Sequence, residues 1–181
     1  METDLFLKVD EFKSLLDVAK DSREKALLWM LAGIGTRIGE TVAARIEHIH
    51  YDQSQMVIPA GNAKGKKGRT VALLPPVVDA LHAYLGDQKS GWIFPSYAGD
   101  HISTRRAQYI VDAIAKKAGI ERRIHPHLLR HSFAVWSIEH NVSIYDLQKQ
   151  LGHSSILTTA IYLDASPTHM RDAFLRSGMF V

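Results

Sequence analysis

At 181 residues, 46% of them apolar and 23% charged, the chain is long enough for one globular domain with its own core. It holds no cysteine, which excludes disulfides and thiolate zinc sites and fits a reducing, cytoplasmic compartment. The net charge is only +3, yet residues 61–70 carry four Lys/Arg and no acid, and residues 101–131 carry seven against Asp112 and Glu121.

Met1-Glu2-Thr3-Asp4 offers no basic region and no long apolar run, so neither a secretory signal nor a membrane span is read. Phe12, Leu15, Leu16 and Ala19 recur at helical spacing in residues 10–20, behind an Asp10 cap. A second helix starts after Ser22 and is broken by Gly33 and Gly35. Thr36 caps a third, which carries Arg37, Glu40 and Val42. Strand-like runs follow at 48–51, 56–60 and 70–74, a three-stranded antiparallel meander whose second turn is a Gly/Lys loop. Pro75 and Pro76 open a helix through Leu85, and residues 92–95 read as a short apolar plug. Ser103 caps a helix with Ile110, Ile114 and Ala118 on one face, and Pro126 suits the first turn of a helix near His127. Ser143 and Asp146 start another that Gly152 stops, and Ser166-Pro167 opens a last short helix closed by Gly178. The expected fold is α+β, mainly α-helical with a small three-stranded antiparallel sheet, as one domain over residues 1–181 with a tail at 165–181. That tail has an apolar side of Met170, Ala173 and Phe174, and docking in its own domain or on a neighbouring protomer both remain open.

Six polar residues stand in an informative order: Arg37, Lys64, His127, Arg130, His153 and Tyr162. Each has an ordinary explanation by itself. Arg37 can pair with Glu40, Lys64 can be a solvated hairpin tip, and Tyr162 can be half-buried packing. Together they make a cationic cradle beside a phenol, the chemistry that cutting a phosphodiester without a metal requires. The two basic windows contain members of the set, which favours a localised polyanion-binding face over scattered surface charge. His127 and His131 are four apart, but HLLRH lacks the glutamate of HExxH, and Arg130 would repel a cation; no metal or other cofactor is expected. His125 lies outside the set and is read as structural or as a minor phosphate contact.

From about residue 5 to 165 the chain resembles the catalytic domain of the tyrosine recombinase (phage integrase) family. Arg37 matches the family's first arginine, Lys64 its β-hairpin lysine, His127-Arg130-His131 its H-x-L-R-H box, His153 its LGH box and Tyr162 its nucleophile in T-x-x-x-Y. Thr36 and Ala63 depart from the common pattern, which leaves Lys66 or Lys67 as alternatives for the working lysine. Family members usually carry an N-terminal core-binding domain, for which this chain has no room, so it is read as an isolated catalytic domain or a naturally short relative.

The resemblance implies that Tyr162 attacks a DNA phosphate to give a 3′-phosphotyrosyl bond. Arg37 and Arg130 would neutralise the phosphate, His127 and His153 would hydrogen-bond it, and Lys64 would protonate the leaving 5′ oxygen. Double-stranded DNA is the expected partner, contacted by Lys66, Lys67, Arg69, Arg105, Arg106, Arg122 and Arg123, with self-association as a tetramer on synapsed DNA and no membrane. A type IB topoisomerase-like enzyme and a non-catalytic DNA-binding regulator are the competing readings.

Overall fold

Residues 6–60 and 68–164 are described in a computed structural model, and their first helix, α1 (Val9–Val18), is started by Glu11. Its carboxylate accepts the Lys8 amide at 2.7 Å, whereas Asp10, the cap expected from sequence, sits inside the first turn and pairs with Lys13. Asp21 caps α2 (Ser22–Ala32) by accepting the Glu24 amide. This helix buries Ala26, Leu27, Leu28, Met30, Leu31 and Ala32, nearly all round, and so runs through the centre of the core. The third helix, α3 (Ile38–Val42), is capped by Arg37 and not by Thr36. Thr36 is wholly buried, with its hydroxyl on Met30 O and Thr41 Oγ1, so its side chain is occupied before it can cap.

Strands β1 (Ile49–His50), β2 (Gln55–Ile58) and β3 (Arg69–Ala72) form the expected antiparallel meander in the order β1-β2-β3. The register pairs Ile49 with Met56 and Met56 with Val71, which lines the buried face with one apolar residue from each strand. Short 3₁₀ turns at Ile46–His48 and Tyr51–Gln53 trim β1 to two residues, shorter than the run of apolar and β-prone residues suggests.

Helices α4 (Pro75–Leu85), α5 (Thr104–Lys117), α6 (Pro126–Glu139) and α7 (Ile144–Leu151) lie where the sequence pattern puts them. An eighth helix, α8 (Leu157–Asp164), was not expected. Thr158, Thr159 and Ile161 are poor helix formers, and burial of Thr159 and Tyr162 supplies what propensity does not. The tail helix expected at 166–178 lies outside the described residues.

Against α2 and α7 packs α6, which buries Leu128, Leu129, Arg130, Ser132, Ala134 and Val135. The chain preceding α1 is stitched over it. Ser132 Oγ accepts the Leu7 amide at 2.8 Å, and Trp136 Nε1 donates to Leu7 O at 2.9 Å. Phe12 closes this seam with its ring 5.1 Å from Trp29 and 5.6 Å from Trp136. Ser132→Ala leaves the buried Leu7 amide without its acceptor and should cost about 1–3 kcal/mol in denaturant unfolding, with faster hydrogen exchange at Leu7. An unchanged exchange rate at Leu7 would show that the seam is held by the aromatic contacts alone.

Candidate active site

An α-helix leaves its last carbonyls without intrahelical donors and carries partial negative charge at that end. At the end of α7 these carbonyls gather three arginines. Arg69 Nε donates to Gln150 O at 2.9 Å. Arg130 Nη2 donates to Leu151 O at 2.8 Å, and Arg37 reaches Leu151 O at 3.3 Å and Gly152 O at 3.4 Å. Gly152 makes this possible. It turns the chain at φ +66, and a Cβ there would fall 2.8–2.9 Å from the Arg69 guanidinium and its stem.

Arg130 is 3% exposed. Besides Leu151 O it donates to Gly35 O at 2.5 Å and to His153 Nε2 at 3.0 Å, so all three partners are neutral. Burial, then the charge of Arg37, lowers its pKa to about 10, which leaves it charged at neutral pH. Glu40 is the carboxylate of the cluster. It accepts both Nη atoms of Arg69 at 2.8 and 2.9 Å, the Arg37 guanidinium at 3.0 Å and the Arg37 amide at 2.8 Å. Burial opposes its ionisation, but hydrogen bonds from Arg69 and the Arg37 amide prevail and hold its pKa at about 2. Two of the three guanidinium groups thus share the one carboxylate, and Arg130 has none. The surplus positive charge, partly shielded from water, is an anion site.

His153 follows Gly152 and lies between Arg130 and Thr159, whose Oγ1 is 3.0 Å from Nδ1. Burial first, then Arg130, Arg37 and Arg69, push its pKa down to about 4, so the ring is neutral at physiological pH. Tyr162, 6% exposed on α8, presents its ring edge-on to His131 at 5.0 Å and nearly parallel to His153 at 6.4 Å. Burial raises its pKa, while Arg130 and Arg37 pull it back. Arg37, Arg130, His153 and Tyr162 therefore meet in one place. His127 stands exposed on the first turn of α6, beside a cleft of about 330 Å³ lined with Ile38, Gln108 and Arg123.

Lys64, Lys66 and Lys67 lie outside the described residues. Arg105, Arg106 and Arg123 are exposed. Arg69 and Arg122, grouped in the sequence with the DNA contacts, are engaged within the protein instead. Arg69 lies in the arginine cluster, and Arg122 is bidentate on Glu11 and donates to Phe6 O at 3.2 Å. Strand alternation carried that signal for Arg69, because it shares the face of Val71, which is buried. His125 is the side-chain cap of α6, accepting the Leu128 amide at 3.1 Å. Thr159 carries no signal in the sequence: Thr158, the threonine of the T-x-x-x-Y match, is exposed, whereas its neighbour Thr159 is buried against His153.

Gly152→Ala and Gly119→Ala impose the same left-handed backbone, but nothing among the described residues lies within 4 Å of a Cβ at Gly119. Both should lose roughly 1–3 kcal/mol for the strained backbone, and Gly152→Ala should lose more because Arg69 must move. Equal losses in chemical denaturation would mean that Arg69 does not require the glycine. Acid should also weaken the fold through His153. A histidine whose pKa falls from 6.5 to about 4 on folding contributes fully above pH 6.5, and that contribution is lost as pH falls towards 4. His153→Gln should flatten the stability profile in that window by up to about 1.4 kcal/mol per pH unit, the limit for one proton. The corresponding loss for Glu40 begins only below 4.5 and runs towards pH 2.

Comparison with known proteins agrees with this fold. The model of the phage integrase family matches residues 5–169. Tyrosine recombinase XerC of Lacticaseibacillus casei is 30% identical over 166 residues, covering 86% of this chain and 55% of its own length. Tyrosine recombinase XerA of Pyrococcus horikoshii is 32% identical over 172 residues, covering 92% of this chain and 59% of its own. The chain thus spans little more than half the length of these relatives. A crystal structure of XerA recombinase superposes with TM-score 0.82 at 30% identity, over 95% of this chain and 64% of that one. XerH site-specific recombinase, in a post-cleavage complex with its palindromic difH substrate, shares the fold at TM-score 0.75 and 22% identity, over 94% of this chain and 52% of that one. A fold of mainly helices with a three-stranded antiparallel sheet, an arginine cluster beside a buried tyrosine, and a family match over most of its length make this chain a member of the phage integrase family.

Proposed function

We propose that this chain is the catalytic domain of a site-specific tyrosine recombinase, which cuts and rejoins DNA strands through a 3′-phosphotyrosyl intermediate. The observation that carries the reading is Arg130, a buried cation with neutral partners, held with Arg37 beside the phenol of Tyr162. A phosphodiester is the kind of anion such a cradle accepts, since its charge grows on the non-bridging oxygens as the nucleophile attacks.

In the reaction, Tyr162 Oη gives up its proton and attacks phosphorus, and the bond to the 5′ oxygen breaks. Burial makes the phenol reluctant to ionise, and the two arginines offset that. His127, exposed on the first turn of α6, is the acceptor for the proton, and Lys64 returns one to the 5′ oxygen. Phenolate is also a competent leaving group, so the reverse attack reseals the strand without a nucleotide cofactor.

The exposed Arg105, Arg106 and Arg123 supply phosphate contacts along the duplex, together with Lys66 and Lys67. The XerH recombinase bound to its difH substrate supports DNA as the partner. Assembly as a tetramer on synapsed DNA belongs to the same reading. No described helix is long and apolar enough to cross a membrane.

Incubation with a nicked suicide duplex should trap a covalent, SDS-resistant protein–DNA adduct. Tyr162→Phe should abolish the adduct and leave DNA binding nearly unchanged. Arg130→Ala should slow cleavage by about 10²–10³, while His125→Ala should lose about 1 kcal/mol of stability as a missing helix cap and keep its cleavage rate. An adduct formed by the Phe variant would reject Tyr162 as nucleophile.

A further inference from the structure

Thr159 is wholly buried and lies three residues before Tyr162, so the two side chains share a face of α8. Its hydroxyl oxygen is 3.0 Å from His153 Nδ1, and on the far side of that ring Nε2 is 3.0 Å from Arg130 Nη2. A guanidinium only donates hydrogen bonds. Nε2 must therefore offer a lone pair, the ring proton must sit on Nδ1, and Thr159 Oγ1 must accept it. Burial and the surrounding arginines keep the ring from carrying a second proton.

This arrangement conflicts with a simple role for His153 as a phosphate donor. With Nε2 facing Arg130 as an acceptor, the ring has no proton to offer an oxygen there. For Nε2 to donate, the proton must leave Nδ1, and Nδ1 must then receive a hydrogen bond. A hydroxyl can do both, because it accepts from Nδ1–H in one tautomer and donates to bare Nδ1 in the other. A carboxylate or a carbonyl at this position would fix the first tautomer permanently, and an apolar side chain would hold neither.

We propose that Thr159 is a positioning residue for His153. Its hydroxyl holds the ring as the Nδ1–H tautomer while Nε2 orients Arg130, and reverses its hydrogen bond when Nε2 donates to a bound phosphate. Because Thr159 sits on the helix of Tyr162, the same bond ties the tyrosine to the cradle. The proposal rests on the recombinase reading for its second state only; the first is a property of the DNA-free protein.

Two measurements test it separately. Long-range ¹⁵N NMR of the DNA-free protein should show His153 with the proton on Nδ1 and an acceptor-type Nε2. A Nε2–H tautomer there overturns the proposal whatever the enzyme does. In single-turnover cleavage of the suicide duplex, Thr159→Val should fall by roughly tenfold, as expected for one lost hydrogen bond, with unchanged DNA affinity and a mixed tautomer signal. Thr159→Ser should restore the rate and the wild-type signal. Wild-type cleavage with full activity in a folded Thr159→Val variant overturns the role of Thr159, whereas absence of any adduct in the wild type sinks the recombinase reading and leaves the tautomer result standing. If Thr159→Val fails to fold, Thr159→Ser decides: a wild-type rate and tautomer support the proposal, and a slow rate with an altered tautomer overturns it.

Discussion

The carbonyl end of α7 is the constraint on which the rest of the site depends. Gln150, Leu151 and Gly152 each expose a carbonyl with no partner in the helix, and Arg69, Arg130 and Arg37 fill them. The three arginines come from β3, α6 and the cap of α3, segments far apart in the chain. One helix terminus therefore fixes the relative positions of three structural layers. Like charges at such distances repel, and the arrangement stands because α7's partial negative charge, Glu40 and the carbonyl of Gly35 offset that repulsion.

The offset is incomplete, and the remainder has chemical use. Glu40 spends its two oxygens on Arg69 and Arg37 and makes no hydrogen bond to Arg130. Arg130 is then a buried cation whose hydrogen-bond partners are all neutral, an arrangement that is costly by itself and that an anion would relieve. His153, neutral for the same electrostatic reason, can take up Arg130 Nη2 as an acceptor in the meantime. Tyr162 sits at the rim of this field, where burial raises its pKa and the arginines lower it. The site stores positive potential beside the phenol.

Packing explains why the machinery holds its shape. Gln150 reaches from α7 to the edge of β3, accepting the Ala72 amide at 2.9 Å and donating to Ala72 O at 3.1 Å and to Ile34 O at 3.2 Å. It acts as one more residue of strand, joining the sheet to the helix that carries the carbonyls. Gly35, at φ +69, has no room for a Cβ between Phe133 and Leu151, and its own carbonyl receives Arg130. Gly35, read from sequence as a helix break, and Gly152, read as a helix stop, are places where backbone comes within hydrogen-bonding reach of a guanidinium.

Local chemistry determined much from sequence alone. Helical periodicity and proline and serine caps placed α2 and α4 to α7, alternation placed the meander, and the order of Arg37, Arg130, His153 and Tyr162 picked out four side chains that the fold brings together. These are short-range signals, set by neighbours within a few residues. What tertiary structure alone decided were questions of partner. Arg69 could face DNA or Glu40, Thr36 could cap a helix or lie buried on Met30 O, and the weak helix former at 157–164 could be loop or α8. Thr158 and Thr159 are identical in sequence terms, and only one faces His153. Each of these choices is settled by long-range burial and electrostatics, whose energies exceed local propensity and which no short stretch of sequence contains.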